Sequence, residues 1–156
     1  MAETQFEINK IYIKDFSSEV PSAPEIFKAE WEPEIDLNFG NGAALIEEEH
    51  HIYEVSLTIT VTAKLGEHTA YIIEVEQAGI FTIDGFDDEQ RGFIIGAATP
   101  NILFPYAREA ISTMSQKAGF PPMLLNPIDF TALYYQHLQN QAENQQAETE
   151  EDQTKH

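Results

Sequence analysis

One pair of acidic residues in this chain has the types and spacing that could perform chemistry. Glu74 and Glu76 stand two positions apart, so on a β-strand both carboxylates point to the same face. Paired carboxylates carry out acid–base chemistry when burial separates their pKa values. Their expected cross-strand neighbours are serine and threonine, which indicates a hydrated face. The pattern therefore favours a solvated acidic surface over a catalytic pair, and that surface is suited to docking a basic partner.

A second group, His50 and His51 after three glutamates at positions 47–49, resembles a metal-ligating cluster. Adjacent histidines in an acidic loop are usually solvated, and supporting residues are not evident, so we expect no metal site. The sequence contains no phosphate-binding loop, no dinucleotide-binding glycine turn and no nucleophile elbow. It also contains no cysteine, which removes thiol chemistry. These observations predict neither an enzyme nor a bound cofactor.

The elements that must position these side chains begin with four strands. Apolar and polar residues alternate in the first half of the chain and predict an antiparallel sheet with one apolar and one polar face. The predicted strands span residues 6–14, 34–39, 53–63 and 70–77, with a loop at residues 40–51 and a hairpin turn at Gly66 and Glu67. Glu74 and Glu76 fall on the polar face.

The first strand departs from simple alternation. Phe6, Ile8 and Tyr12 point one way, whereas Ile11 and Ile13 point the other. A strand with apolar groups on both faces needs cover on both faces. In a small domain, part of that cover can come from another subunit.

The second half of the chain predicts helices. Asp87 or Asp88 caps a short helix that runs to about Ala98, and Pro100 interrupts it. Longer helices follow at about residues 101–118 and 128–140. We therefore expect an α+β fold at residues 1–140, with the four-stranded sheet packed by helices on one face. The glutamine- and glutamate-rich segment at 141–156 is expected to be a disordered acidic tail.

The charge is strongly acidic. The chain has 27 Asp and Glu against 8 Lys and Arg, a formal net charge of −19. This charge disfavours nucleic acids and anionic membranes and favours basic partners. The N-terminal residues lack the basic and apolar regions of a signal peptide, and no apolar stretch is long enough to span a bilayer. We expect a cytoplasmic protein without membrane insertion.

Aromatic residues occupy the irregular crossover at residues 17–33. Phe27 and Trp31 either pack on the sheet as core or line a groove that takes extended peptide. The sequence leaves both interpretations open.

A ten-residue run carries a resemblance to a known family. Residues 100–109, PNILFPYARE, resemble the signature segment of SecB, the bacterial protein-export chaperone. Residues 11–15, 21–34 and 74–81 resemble, in order, the first strand, the crossover and the fourth strand of that family. The resemblance covers about residues 6–140.

The resemblance implies a function and an assembly. SecB is an ATP-independent holdase that keeps precursor proteins unfolded and passes them to SecA, the translocation motor. Its subunits form a homotetramer, a dimer of dimers, with long helices between two eight-stranded sheets.

The resemblance also implies two sets of site residues. The positions that match the SecA-docking surface on the outer face of the sheet are Asp15, Glu19, Ile72 and Glu74, where Ile72 stands in place of an expected leucine. The positions that match the client-binding groove are Phe27 and Trp31 from the crossover, with Phe104, Tyr134 and Leu138 from the helix stripes.

Two other functions remain open. An acidic adaptor would dock one folded partner through the sheet face. A small-ligand carrier or enzyme would use a cavity between sheet and helices, although the missing catalytic and nucleotide motifs count against it. The range of clients distinguishes a chaperone from an adaptor, because only a chaperone binds many unfolded chains.

Overall fold

Four antiparallel strands followed by helices make up the computed structural model, which describes residues 3–154. The strands are β1 (Gln5–Glu19), β2 (Glu34–Glu47), β3 (Ile52–Leu65) and β4 (His68–Asp84), and their spatial order is β1-β4-β3-β2. The helices are α1 (Asp88–Phe93), α2 (Thr99–Lys117) and α3 (Phe130–Thr154). A short 3₁₀ helix, Glu25–Lys28, lies in the crossover, and a π-helical turn, Ile94–Ala98, joins α1 to α2. The predicted α+β fold is confirmed.

The two central strands carry the alternation that the sequence predicts. Val55, Leu57 and Ile59 of β3 are fully buried, and the residues between them lie on the opposite, partly exposed face. Helix α2 packs on β3 and β4 and covers their apolar side. Burial of these branched side chains, at about 2 kcal/mol each, is the main contribution that holds helix and sheet together. We call the covered side the helix side and the other the outer face.

Strand β1 differs from the prediction of a two-faced strand. Its pairing with β4 slips between Ile8 and Lys10 and again between Ile13 and Asp15, which are two β-bulges. Ile8, Ile11 and Ile13 therefore pair with Phe81, Gly79 and Gln77, which all lie on the helix side. A bulge adds one residue and shifts the alternation, so simple periodicity gave the wrong faces. Most apolar side chains of β1 share one face of the sheet.

Strand β2 is longer than predicted. The segment at residues 40–51 was expected to be a loop, but β2 continues to Glu47 and pairs with β3 along its whole length. Gly40 and Gly42 are poor strand formers, yet β3 offers an unbroken partner, and pairing overrides the local preference. At the other end of β3, the predicted hairpin turn is confirmed, and Gly66 adopts a φ of 63° there.

The helices form one continuous run where the sequence predicted a break. Asp87 is the cap: its side chain accepts from the Gln90 amide at 2.8 Å, and the Gln90 side chain accepts from the Asp87 amide at 3.2 Å. Pro100 does not interrupt the helix, because it follows the π-helical turn at the start of α2, where a missing N–H is tolerated. The π-helical turn adds one residue per turn and carries the chain past the proline.

Helix α3 continues past its predicted end near residue 140 to Thr154, into the segment expected to be disordered. Every side chain from Tyr135 to Thr149 is exposed, which agrees with the expectation that this segment buries little surface. Residues 155 and 156 of the predicted tail lie outside the described residues, and the division of the chain at residue 140 stays a prediction. Across residues 3–154, no helix has the length and apolar character needed to cross a membrane.

Candidate functional site: an apolar cleft and an acidic sheet face

An apolar cleft of about 330 Å³ opens between helix α3 and the sheet. Phe130 anchors the start of α3: its ring meets Phe39 of β2 edge-on at 6.1 Å and Phe104 of α2 at 5.8 Å. The cleft has two polar groups at its margin, an imidazole and an amide. Its lining residues are Phe39, Asn41, Leu57, Gly96, Phe130, Leu133, Tyr134 and His137.

Tyr134 sits in a slot formed by two glycines. A Cβ placed on Gly96 would lie 2.5 Å from the Tyr134 Cδ2 atom, and one placed on Gly92 would lie 3.0 Å from its hydroxyl oxygen. The two glycines are four positions apart, so both present their bare backbone on one side of the helical run. The slot fixes the first turns of α3 and thereby sets the width of the cleft.

Phe27 and Trp31 belong to a separate aromatic cluster at the crossover. Their rings lie 5.1 Å and 5.0 Å from Phe120, which follows α2, and Trp31 stacks on Tyr71 at 6.1 Å. Trp31 is partly covered, whereas Phe27 keeps 48% of its surface exposed. The sequence left two interpretations of Phe27 and Trp31, core packing and a peptide groove. The cluster has features of both, because its rings pack on the sheet and still present an aromatic surface.

Tyr71 at the base of this cluster is fully buried, and its hydroxyl has no hydrogen-bond partner among the described residues. Burial raises the pKa of Tyr71 to about 12, because a phenolate there would lose its hydration.

The other predicted groove residues are divided. Tyr134 lines the cleft, Phe104 is buried beneath Phe130 and supports it, and Leu138 lies exposed one turn farther along α3. Sequence reasoning missed Phe39, Leu133 and His137. Phe39 continues the alternation of β2, and no local pattern marks Leu133 or His137 as part of a site. Only the placement of α3 over β2 brings them together.

On the outer face, strand pairing collects the four residues of the predicted docking surface. Glu19 pairs with Ile72, and Ser17 pairs with Glu74, so Asp15, Glu19, Ile72 and Glu74 share this face. Glu76, paired with Asp15, joins them. The Thr60 hydroxyl donates to Glu74 Oε2 at 2.8 Å and fixes that carboxylate. We call Asp15, Glu19, Ile72, Glu74 and Glu76 the acidic face.

A paired cluster borders the acidic face. Glu54 accepts a hydrogen bond from the Tyr12 hydroxyl and forms an ion pair with Lys14 Nζ at 2.7 Å. The Lys14 ammonium, followed by the Tyr12 hydroxyl, lowers the pKa of Glu54. Desolvation, followed by the hydrogen bond to Glu54, raises the pKa of Tyr12 to about 12. Lys14 is thus paired with Glu54 and also lies within electrostatic reach of Glu76.

The histidines of the β2–β3 turn form local pairs. His50 contacts Glu47, and His51 Nε2 lies 3.4 Å from Asp84 Oδ1. Within the part of the chain that the structure describes, no three His, Asp or Glu side chains come together in a metal-binding group.

Known proteins with the same pattern of sequence identify the family. The family model described as preprotein translocase subunit SecB matches residues 1–141. A protein-export protein SecB of Methylococcus capsulatus is 52% identical over 137 residues, which cover 88% of this chain and 87% of that protein. A protein-export protein SecB of Alkalilimnicola ehrlichii is 49% identical over 144 residues, which cover 92% of this chain and 76% of that protein. The chain belongs to the SecB family.

Membership in the SecB family makes the chain a protein-export chaperone that binds preproteins, and not an enzyme. Among solved structures, the fold is similar to a SecB-like chaperone of Mycobacterium tuberculosis in complex with an antitoxin peptide. That match has a TM-score of 0.66 at 17% identity and covers 79% of this chain and 90% of the other. The PNILFPYARE run that resembled the SecB signature forms the first half of α2.

Proposed function

We propose that this SecB-family chain works in the cytoplasm as an ATP-independent holdase and delivers unfolded precursors to the SecA motor. The observation that supports this most is the separation of two surfaces. The apolar cleft lies on the helix side of the sheet, and the acidic face lies on the opposite side. A client and a delivery partner can therefore be bound at the same time.

Clients bind through the cleft and the crossover cluster. Phe27 and Trp31 offer an exposed aromatic edge, and Leu133 and Tyr134 line the cleft. Neither surface contains a dense set of hydrogen-bonding groups that would select one sequence. Each contact is weak, and several contacts along one unfolded chain raise the overall affinity.

SecA docks on the acidic face through Asp15, Glu19, Ile72 and Glu74. The carboxylates attract a basic surface at long range, and Ile72 supplies an apolar contact among them. Docking should weaken as salt screens the carboxylates.

The subunit assembles into a homotetramer, a dimer of dimers. Ile8 and Ile13 of β1 are 50% and 47% exposed on the helix side of the sheet, and Tyr106 of α2 is exposed near Ile13. These residues extend the apolar side beyond the cover that one subunit provides, which fits burial against a second copy. Native mass spectrometry would measure the number of subunits.

The deciding experiment combines client holding and motor docking. Without nucleotide, the protein should keep a chemically unfolded precursor soluble at near-stoichiometric amounts. Glu74→Lys should weaken SecA binding at least tenfold and leave client holding intact, because it places a cation on the acidic face. Leu133→Ser should have the opposite pattern.

An acidic adaptor would give a different result. It would bind one folded partner through the same acidic face and would not suppress aggregation. A folded oligomer that fails to hold any unfolded precursor would establish that alternative and would remove the client role from the cleft. Equal loss of both activities in Glu74→Lys would show that the docking surface is misplaced.

A further inference from the structure

One asparagine of the apolar cleft is followed by a glycine. Asn41 lines the cleft from strand β2, and Gly42 is the next residue. The chain has seven asparagines, and Asn41 is the only one that precedes a glycine. This order of residues exposes the side-chain amide to attack by the following backbone nitrogen, because glycine has no side chain to hinder that approach.

The segment around this pair is open to solvent. Residues 38–47 of β2 are all exposed. A Cβ placed on Gly40 would meet no atom within 4 Å, and one placed on Gly42 would meet only Ser56 Oγ, at 3.4 Å. Little packing therefore restrains the main chain on either side of Asn41.

Strand β2 also lies at the edge of the sheet. The order β1-β4-β3-β2 leaves it paired on one side only, with β3. An edge strand opens when its pairing with a single neighbour breaks, and glycine in the interior of a strand weakens that pairing. Gly40 and Gly42 thus lower the cost of a local opening that takes Asn41 out of its extended conformation.

We propose that Asn41 is a site of spontaneous deamidation. When β2 opens locally, the Gly42 backbone nitrogen attacks Asn41 Cγ and loses its proton, a succinimide ring closes, and the side-chain nitrogen leaves as ammonia. Water then adds to either carbonyl of the ring, which gives aspartate or isoaspartate. In sum, one water is consumed, one ammonia is released, and the amide becomes a carboxylic acid without any change of oxidation state.

Both products change the cleft. The new carboxylate adds a negative charge to a lining that, within the described part of the chain, includes no lysine or arginine. Isoaspartate also adds one main-chain carbon to β2 opposite Leu57, the pairing partner of Asn41 on β3. An added main-chain atom in mid-strand disturbs the pairing in the manner of a bulge. Because ammonia is lost, the change accumulates with the age of the protein.

Peptide mapping after incubation of the intact protein tests the proposal. Residues 29–64 form one tryptic peptide that contains Asn41 and also Asn38, an exposed asparagine of β2 that precedes Phe39. At mildly alkaline pH, Asn41 should convert at least tenfold faster than Asn38, because a phenylalanine side chain hinders ring closure. Conversion is read as a mass gain of about one dalton at the fragmented residue. A sample digested at time zero corrects for conversion during digestion.

Two alanine variants of the same strand identify the reacting nitrogen. Gly42→Ala adds a methyl group beside that nitrogen and still fits, so it should slow conversion about tenfold. Gly40→Ala places its methyl group in open space on the other side of Asn41, so it should change the rate less than about twofold. Equal slowing in both variants would attribute the rate to the flexibility of the strand and overturn the role of Gly42.

A synthetic peptide of residues 35–47 gives the rate without the fold. Asn41 should convert faster in this peptide than in the protein, because no strand pairing has to open. Conversion in the peptide with none in the intact protein would mean that β2 protects Asn41, and the proposal would fail. Aspartate as the sole product would overturn it too, because a succinimide opens to both aspartate and isoaspartate.

Discussion

Replacement of Gly96 by alanine should release helix α3 while leaving the rest of the subunit folded. The added Cβ would stand 2.5 Å from Tyr134 Cδ2 and 2.7 Å from Cε2, whereas ordinary contacts are 3.4–4 Å. The ring must therefore retreat by about 1 Å to restore normal separation. Because Phe130 anchors the start of α3 in the core and every side chain from Tyr135 to Thr149 is exposed, the helix beyond Phe130 can move while the core stays in place.

Contributions of opposite sign determine the magnitude. Alanine is favoured over glycine within a helix by about 1 kcal/mol, which stabilises the helical run around position 96. Forcing the methyl group against the ring costs about 1–3 kcal/mol if α3 stays in place. Release of α3 beyond Phe130 avoids the second cost and keeps the first, but it loses the packing of the Tyr134 ring in its slot. We therefore expect a urea midpoint that changes little, together with at least tenfold faster amide exchange in residues 131–140.

Hydrogen exchange read by mass spectrometry, alongside urea unfolding, distinguishes these effects. Gly92→Ala is the matched comparison, since its Cβ would meet only the Tyr134 hydroxyl, at 3.0 Å, and should speed the exchange of α3 less. Adding Tyr134→Phe removes that hydroxyl. It should therefore restore slow exchange in Gly92→Ala but not in Gly96→Ala, where the Cβ meets the ring carbons. Unchanged or slower exchange of α3 in Gly96→Ala would refute the reasoning, because it would mean that the slot does not hold the helix.

Three further variants test individual contacts in the fold. Tyr71→Phe removes a buried hydroxyl that has no partner among the described residues, so unfolding in urea should show about 1 kcal/mol of added stability, and a loss would indicate a hidden partner. Glu54→Gln should be less stable than wild type at pH 7, because the ion pair with Lys14 lowers the pKa of Glu54. Since a lowered pKa stabilises the fold only while the group is ionised, this difference should shrink as the pH falls through the folded-state pKa of Glu54, and a constant difference would exclude that origin. Asp87→Ala removes the helix cap and should cost about 1 kcal/mol in the same urea assay, with Asp88→Ala as a control that leaves the capping box intact.

The sequence was sufficient for those features that local pattern determines. Alternation in β3 and β4 gave their strands and faces, because both are buried on one side and hydrated on the other. Asp87 and Asp88 marked the start of α1 to within one residue, because the cap, which is Asp87, needs no distant contact. Part of the acidic face followed as well, since residues two apart on a strand share a face and Glu74 lies there with Ile72 and Glu76. Asp15 and Glu19 came from the family resemblance.

The features that the sequence did not give depend on distant contacts. Gly40 and Gly42 suggested a loop, but the long partner strand β3 draws them into β2. Pro100 suggested a break, but the helical run continues through a π-helical turn that directly precedes it. Tyr134 of the cleft packs on Gly92 and Gly96, and no local pattern relates a tyrosine on one helix to two glycines about forty residues earlier.

The two bulges of β1 decide which changes of length the strand tolerates. Asn9 and Lys14 are the extra residues, and each forms a hydrogen bond on the outer face, Asn9 with Thr82 at 2.8 Å and Lys14 with Glu54 at 2.7 Å. Because neither has a partner opposite it on β4, deletion of Asn9 would remove the bulge and leave Ile8 on the helix side. Deletion of Tyr12, which is paired and lies between the bulges, would instead turn Ile13 to the outer face and Lys14 to the helix side. Single deletions in β1 are therefore tolerable at the bulges and damaging between them.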